Sequence, residues 1–214
     1  MTAPTYDTLT SDDTGADKIL TTGTVTALDQ NPISVAQRGT GAPVVQVPVR
    51  EYKTSGTGAT WTIPDGVTAF NLYVQGGGGG SNGDGGNSSV TYNSVTYTAN
   101  GGTSAGAGGT TTNGGTESRK GQNGVTAGSV VGGSSMFGHG GAVDVNGSDA
   151  GSGYGQGSAF AAIGPTLVAG GGGGSLVIRI AVVAGQTTAT YTVGAGGPAG
   201  SGAAGGGGLI IFEY

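Results

Sequence analysis

The chain has 214 residues, of which 51 are Gly and only 19 are charged, with no Cys and a formal net charge of -5. Seven Lys and Arg scattered over such a length cannot form a phosphate-neutralising stripe, which excludes nucleic acid as a partner, and the absence of Cys excludes disulfides and thiolate metal sites. Leu, Ile, Val and Phe together number 39, few enough to raise disorder, but disordered chains stay soluble through high charge and this one lacks it.

Glycine is unevenly spread. Residues 1–75 hold seven and residues 76–208 hold the other 44. The first 52 residues read as a small attachment arm. Leu20 and Leu28 fall at helical spacing, with Gly23 and several Thr weakening the pattern. Asn31 and Pro32 are a good cap and first helical position, so a short helix carrying Ile33 and Val35 is expected up to Gln37. Pro43 and Pro48 then keep residues 42–50 extended. The N-terminus has neither a basic nor an apolar leader segment, and nothing in it implies secretion.

From residue 53 the reading changes. Ala59 to Ile63 alternates, Pro64-Asp65-Gly66 is a turn, and Phe70, Leu72 and Val74 share one face of the next segment, so a β-hairpin is expected over about 59–75. A second is expected over 176–193, with Leu176, Ile178 and Ile180 on one face and a turn at Gly185-Gln186. Residues 209–214 make a last strand. Between them lies a body, 76–208, in which one residue in three is Gly. Collagen needs strict phase and more Pro, and a 133-residue linker between well-formed strands is out of proportion. The expected architecture is therefore mainly β and irregular: a short helical N-terminal arm, a β-hairpin collar, and a body of packed polyglycine II-like helices with inserted loops. The domains are 1–52 and 53–214.

Segments with larger side chains interrupt the glycines. Loops on a rigid scaffold carry function disproportionately, and aromatic, Asn and Ser side chains suit adaptable binding surfaces. They nominate Tyr92, Asn93, Tyr97, Arg119, Lys120, Phe137, His139, Tyr154 and Phe160 as binding residues. Catalysis finds no support. His139 is the sole histidine and has no carboxylate near it in sequence, and the four acids of the body (Asp84, Glu117, Asp144 and Asp149) offer no evident pair for glycoside hydrolysis. The Asp-rich stretches 12–17 and 144–149 read as turns rather than calcium loops, and no glycine run is followed by the Gly-Lys-Ser/Thr of a phosphate loop. No enzyme activity, cofactor or metal is expected.

Trp61-Thr-Ile-Pro-Asp-Gly-Val67, Tyr73-Val-Gln followed by five glycines, the segment from Ile180 to Gly197, and the closing four glycines with Leu209-Ile-Ile-Phe-Glu-Tyr214 occur in the order found in the glycine-rich domain of bacteriophage tail fibres and tail tip adhesins, which the chain resembles. Leu9-Thr10, Thr14-Gly-Ala-Asp17, Ala27-Leu28, Asn31-Pro-Ile33 and Gly39-Thr-Gly-Ala-Pro43 look like an N-terminal segment of phage structural proteins. The matches cover the ends of the chain and little of its middle, which is richer in Thr, Ser and Val than such domains. The resemblance implies a virion protein of the phage tail, a receptor-binding fibre or tip component. Its arm, through Leu20, Leu28, Asn31, Pro32, Ile33 and Val35, would meet other tail or virion proteins. Its glycine domain would meet a host surface protein or polysaccharide, and family habit implies a homotrimer. The alternative is a capsid or tail decoration protein with no receptor contact. An ice-binding bundle, prompted by outward Ala and Thr, would leave the arm without a purpose.

Overall fold

The computed structural model describes residues 48–113, 117–125, 131–141, 148–149, 151–161, 167–199 and 203–214. The expected helix over 31–37 and all six arm residues lie outside them. Residues 49–214 form one compact unit.

Among the described residues there are fifteen strands and no helix. In chain order they are β1 (Arg50–Lys53), β2 (Ala59–Thr62), β3 (Ala69–Gln75), β4 (Ser88–Tyr92), β5 (Val95–Ala99), β6 (Thr111–Thr112), β7 (Glu117–Arg119) and β8 (Phe137–His139). There follow β9 (Ser148–Asp149), β10 (Ser152–Tyr154), β11 (Ala159–Ala161), β12 (Leu167–Ala169), β13 (Ser175–Ala181), β14 (Thr188–Thr192) and β15 (Leu209–Glu213). Two sheets have five strands each, in the orders β1-β15-β3-β13-β7 and β2-β14-β4-β5-β6, and all the pairings are antiparallel.

The alternation read from the sequence sets the core. Phe70, Leu72 and Val74 of β3, Leu176 and Ile180 of β13, and Ile210 and Phe212 of β15 point from the first sheet toward Trp61, Ala189, Val90, Tyr92 and Ala99 of the second, forming one buried cluster. Burying side chains of this size contributes roughly 1.5–3 kcal/mol each, and this cluster fixes the two sheets against each other.

Neither expected hairpin forms. β2 pairs with β14 and β3 with β13 and β15, so the segments that look like two arms of a hairpin belong to different sheets. Residues 63–68 and 182–187 are sheet-to-sheet crossings, and they bond to each other through Ile63 N–H to Thr187 O and Val182 N–H to Thr68 O, both 2.8 Å. Pro64-Asp65-Gly66 does make a local turn, closed by Val67 N–H to Pro64 O. Inter-sheet packing of Trp61 and Phe70 determines where the chain goes after it.

The packed polyglycine II-like helices expected of 76–208 are likewise corrected: that region contains strands and extended connecting segments, with no helix among its described residues. Its Thr, Ser, Val and Tyr stretches pair as antiparallel strands, and the glycine runs join them. The runs at 76–80, 170–174 and 205–208 lead out of β3, β13 and β15, which are neighbours in the first sheet, at the same end because β13 and β15 are antiparallel to β3. Successive amides of one run bond to different segments: Gly76 to Gly174 O, Gly77 to Gly86 O, Gly78 to Gly206 O and Gly79 to Gly171 O, at 2.8–3.0 Å. The body is thus knit laterally in several directions, and backbone groups lying beneath the surface are satisfied by other backbone. Close approach requires the glycines. A Cβ on Gly172 would stand 2.2 Å from the Ser134 carbonyl oxygen, and one on Gly78 would stand 1.8 Å from that of Gln156.

Candidate binding site

The glycine body holds a two-stranded ribbon, β8 with β10, in which Phe137 lies opposite Tyr154, Gly138 opposite Gly153, and His139 opposite Ser152. Glycine at the middle pair lets the strands meet: a Cβ on Gly138 would be 2.7 Å from the Tyr154 carbonyl, and Gly153 has φ +96°, a conformation L side chains rarely adopt. Three residues picked from different parts of the sequence are thereby brought onto one ribbon. Phe137 is half-buried, His139 is exposed, and Tyr154 retains 38% of its surface.

The turn before β8 is built by hydroxyls. Ser135 Oγ donates to the Tyr154 carbonyl and accepts from the Phe137 N–H, while Ser134 Oγ accepts from the Gly140 N–H at 3.1 Å. Ser135 N–H reaches the Gly138 carbonyl at 2.9 Å. This turn, Ser134 to Met136, forms one wall of a groove of about 160 Å³, and the other wall contains Arg119, Lys120, Gly121 and Gln122, with Ser175. Arg119 ends β7, the edge strand beside β13. Its guanidinium lies 3.4 Å from Glu117 Oε2, with both side chains more than half exposed, a pair worth little in water. Lys120 makes no ion pair among the described residues. The groove therefore carries two cations, no carboxylate, several hydroxyls, an amide and the Met136 thioether.

Other sequence candidates go elsewhere. Tyr92 is 3% exposed in the inter-sheet core, edge-on to Phe70 at 5.7 Å, with its hydroxyl accepting from Val183 N–H at 2.7 Å. Tyr97 is half-buried against the same core. Asn93 sits exposed at φ +46° in the tight β4–β5 turn, at the second sheet. Phe160 lies on β11, opposite Val168 and Ser148.

Sequence reasoning nominated Arg119, Lys120, Phe137, His139 and Tyr154 but not the residues that join them, Ser134, Ser135 and Met136, nor Gln122, Ser152 and Ser175. The available signal was the Ser-Ser pair between Gly133 and Phe137, since hydroxyls before an aromatic in a glycine chain are positioned to bond the local backbone. A larger groove, about 320 Å³, lies between the two sheet crossings. Its lining mixes apolar side chains and turn backbone with Thr68, Gln186 and Thr187, has Asp65 as the single charge, and contains none of the nominated residues. Among the described residues no three His, Asp or Glu side chains come together. No protein family, no curated protein and no solved structure matches the chain.

Proposed function

We propose that the chain is a bacteriophage virion protein, a tail fibre or tail tip component that attaches to the tail through its N-terminal residues and binds a host-surface receptor. Two things support this reading. The ends of the chain resemble phage glycine-rich tail domains, and the observation that carries the binding half is the convergence of Phe137, His139 and Tyr154 on a ribbon whose leading turn walls the Arg119–Lys120 groove.

Aromatic rings on a glycine-fixed ribbon supply contact area with little ordering cost, and aromatic and Arg side chains dominate binding hot spots. The two cations suit an anionic group such as the carboxylate or phosphate of a surface polysaccharide. The groove is small, about 160 Å³, and is lined by eight residues. That suits one such group and not a chain. Several copies, as in the homotrimer implied by the resemblance, would multiply weak single contacts.

The direct experiment labels the full-length protein and measures its binding to host cells for wild type, the double variant Phe137→Ala with Tyr154→Ala, and the double variant Arg119→Ala with Lys120→Ala. Each pair is expected to lower binding about tenfold or more. The Arg–Lys variant should respond less to added salt than wild type. A folded wild-type protein that binds no host cell would make the decoration reading the correct one.

A further inference from the structure

Every outward position on the five-stranded sheet of β2, β14, β4, β5 and β6 is Thr or Ser. Strand pairing arranges them in rows across the sheet. Thr60, Thr190, Thr91 and Thr96 stand opposite one another in one row, and Thr192, Ser89, Thr98 and Thr112 in the next. Thr62 and Thr188 begin a third. All ten are exposed or half-exposed, while their chain neighbours Trp61, Ala189, Val90 and Tyr92 are buried. A bland reading exists, because Thr favours strands and an antiparallel sheet shows a polar face to water. That reading accounts for Thr on such a face but not for the absence of any Lys, Glu, Asp, Arg, Asn or Gln from ten positions.

We infer that this face binds the ordered water lattice of ice. Three observations point there. First, the face is a two-dimensional grid: neighbouring strands are ~4.8 Å apart and alternate residues ~6.7 Å apart along a strand, so each hydroxyl and methyl repeats in both directions, as the oxygens of an ice surface do. Second, the grid is preorganised. Thr is stiff at χ1, Thr91 and Thr96 join their hydroxyls across the strands at 2.8 Å, and Thr192 Oγ1 is held by the Gly58 N–H at 3.0 Å. Third, charge and area select the occupant. A face without formal charge has nothing to offer a polyanion. Ten grid cells cover roughly 320 Å², well below the ~800 Å² each partner contributes to a stable protein interface, which argues against a second copy of the chain. A lattice that repeats under every residue needs no such area of unique fit. Sheet twist of roughly 20–25° per strand restricts registry to adjacent strands. The expected activity is therefore slowed ice recrystallisation with only small thermal hysteresis.

The test freezes the full-length protein in a thin film and follows crystal growth at a fixed subzero temperature, alongside Thr91→Lys with Thr190→Lys and a control carrying the same charges at Asn82 and Gln186, which are exposed and lie off this face. Wild type and control are expected to suppress growth at micromolar concentration, and the central double variant to need at least tenfold more. Circular dichroism confirms that the variants remain folded, and Thr91→Ser with Thr190→Ser, which keeps the hydroxyls, separates loss of the methyl grid from loss of the fold. Crystal growth with wild type equal to that with an inert protein overturns the inference, as does a folded central variant as active as wild type.

Discussion

Trp61 and Phe212 stack with ring centroids 4.0 Å apart and planes 12° from parallel, one on β2 of the second sheet and the other on β15 of the first. The stack joins a strand near the start of the described chain to the last one, and Phe70 meets the Trp61 ring edge-on at 5.0 Å. The Trp61 indole N–H donates to Glu51 on β1 at 3.2 Å, and Glu51 also accepts from the Tyr214 hydroxyl at 2.9 Å.

Trp61→Ala should therefore destabilise the domain by about 3–5 kcal/mol, the range for removing a large buried aromatic. Chemical denaturation followed by far-ultraviolet circular dichroism checks this. Trp61→Phe, which keeps one stacked ring and loses the bond to Glu51, should cost less than half as much.

Gly172 and Gly207 should separate sharply. Gly172→Ala places a Cβ against the Ser134 carbonyl and the Gly133 oxygen, backbone atoms that cannot turn aside, whereas a Cβ at Gly207 meets nothing within 4 Å. Overpacking of rigid backbone costs about 1–3 kcal/mol or more, while an Ala at an open site changes stability by less than about 1 kcal/mol. Thermal melts of the two single variants read this difference.

Acid should weaken the first sheet through Glu213. Hydrogen bonds from Asn71 and Arg50 hold its carboxyl below the ordinary range, outweighing its partial burial, with Tyr73 adding a weaker bond. A lowered folded pKa means the contribution is complete above the unfolded value, ~4.3, and is lost as pH falls through the folded one. Glu51 acts in the same sense: burial pushes it up, but bonds from Lys53, Trp61 and Tyr214 carry it below its usual value. Stability should fall as pH drops below the unfolded carboxylate value of ~4.3, and less steeply in Glu213→Gln; melts across the acid range decide it.

What could be read in the sequence was orientation within a strand. Period-two alternation placed Phe70, Leu72 and Val74 on one face and Leu176, Ile178 and Ile180 on another, and these do face the core. Alternation does not name a strand's partner. Pro64-Asp65-Gly66 has the residues of a hairpin turn, yet six residues suffice to cross between sheets, and the Trp61–Phe212 stack that favours the crossing joins residues 151 positions apart. The glycine region was misjudged for a related reason. Glycine reports that backbones approach closely without specifying their shape, and short pairs such as Phe137 with Tyr154 depend on contacts no local window contains. Tyr92 and Tyr154 look alike in sequence, and tertiary packing alone sends one inward and leaves the other out.

The most direct test of receptor binding is adsorption competition. Purified, folded, full-length protein is added to host cells, the phage proposed to carry this chain follows, and unadsorbed particles are counted. Dose-dependent blocking by wild type, lost in Phe137→Ala with Tyr154→Ala and in Arg119→Ala with Lys120→Ala, is the predicted result. Undiminished adsorption at saturating folded protein, or blocking retained in full by both variants, would contradict a receptor site on the β8–β10 ribbon and its groove.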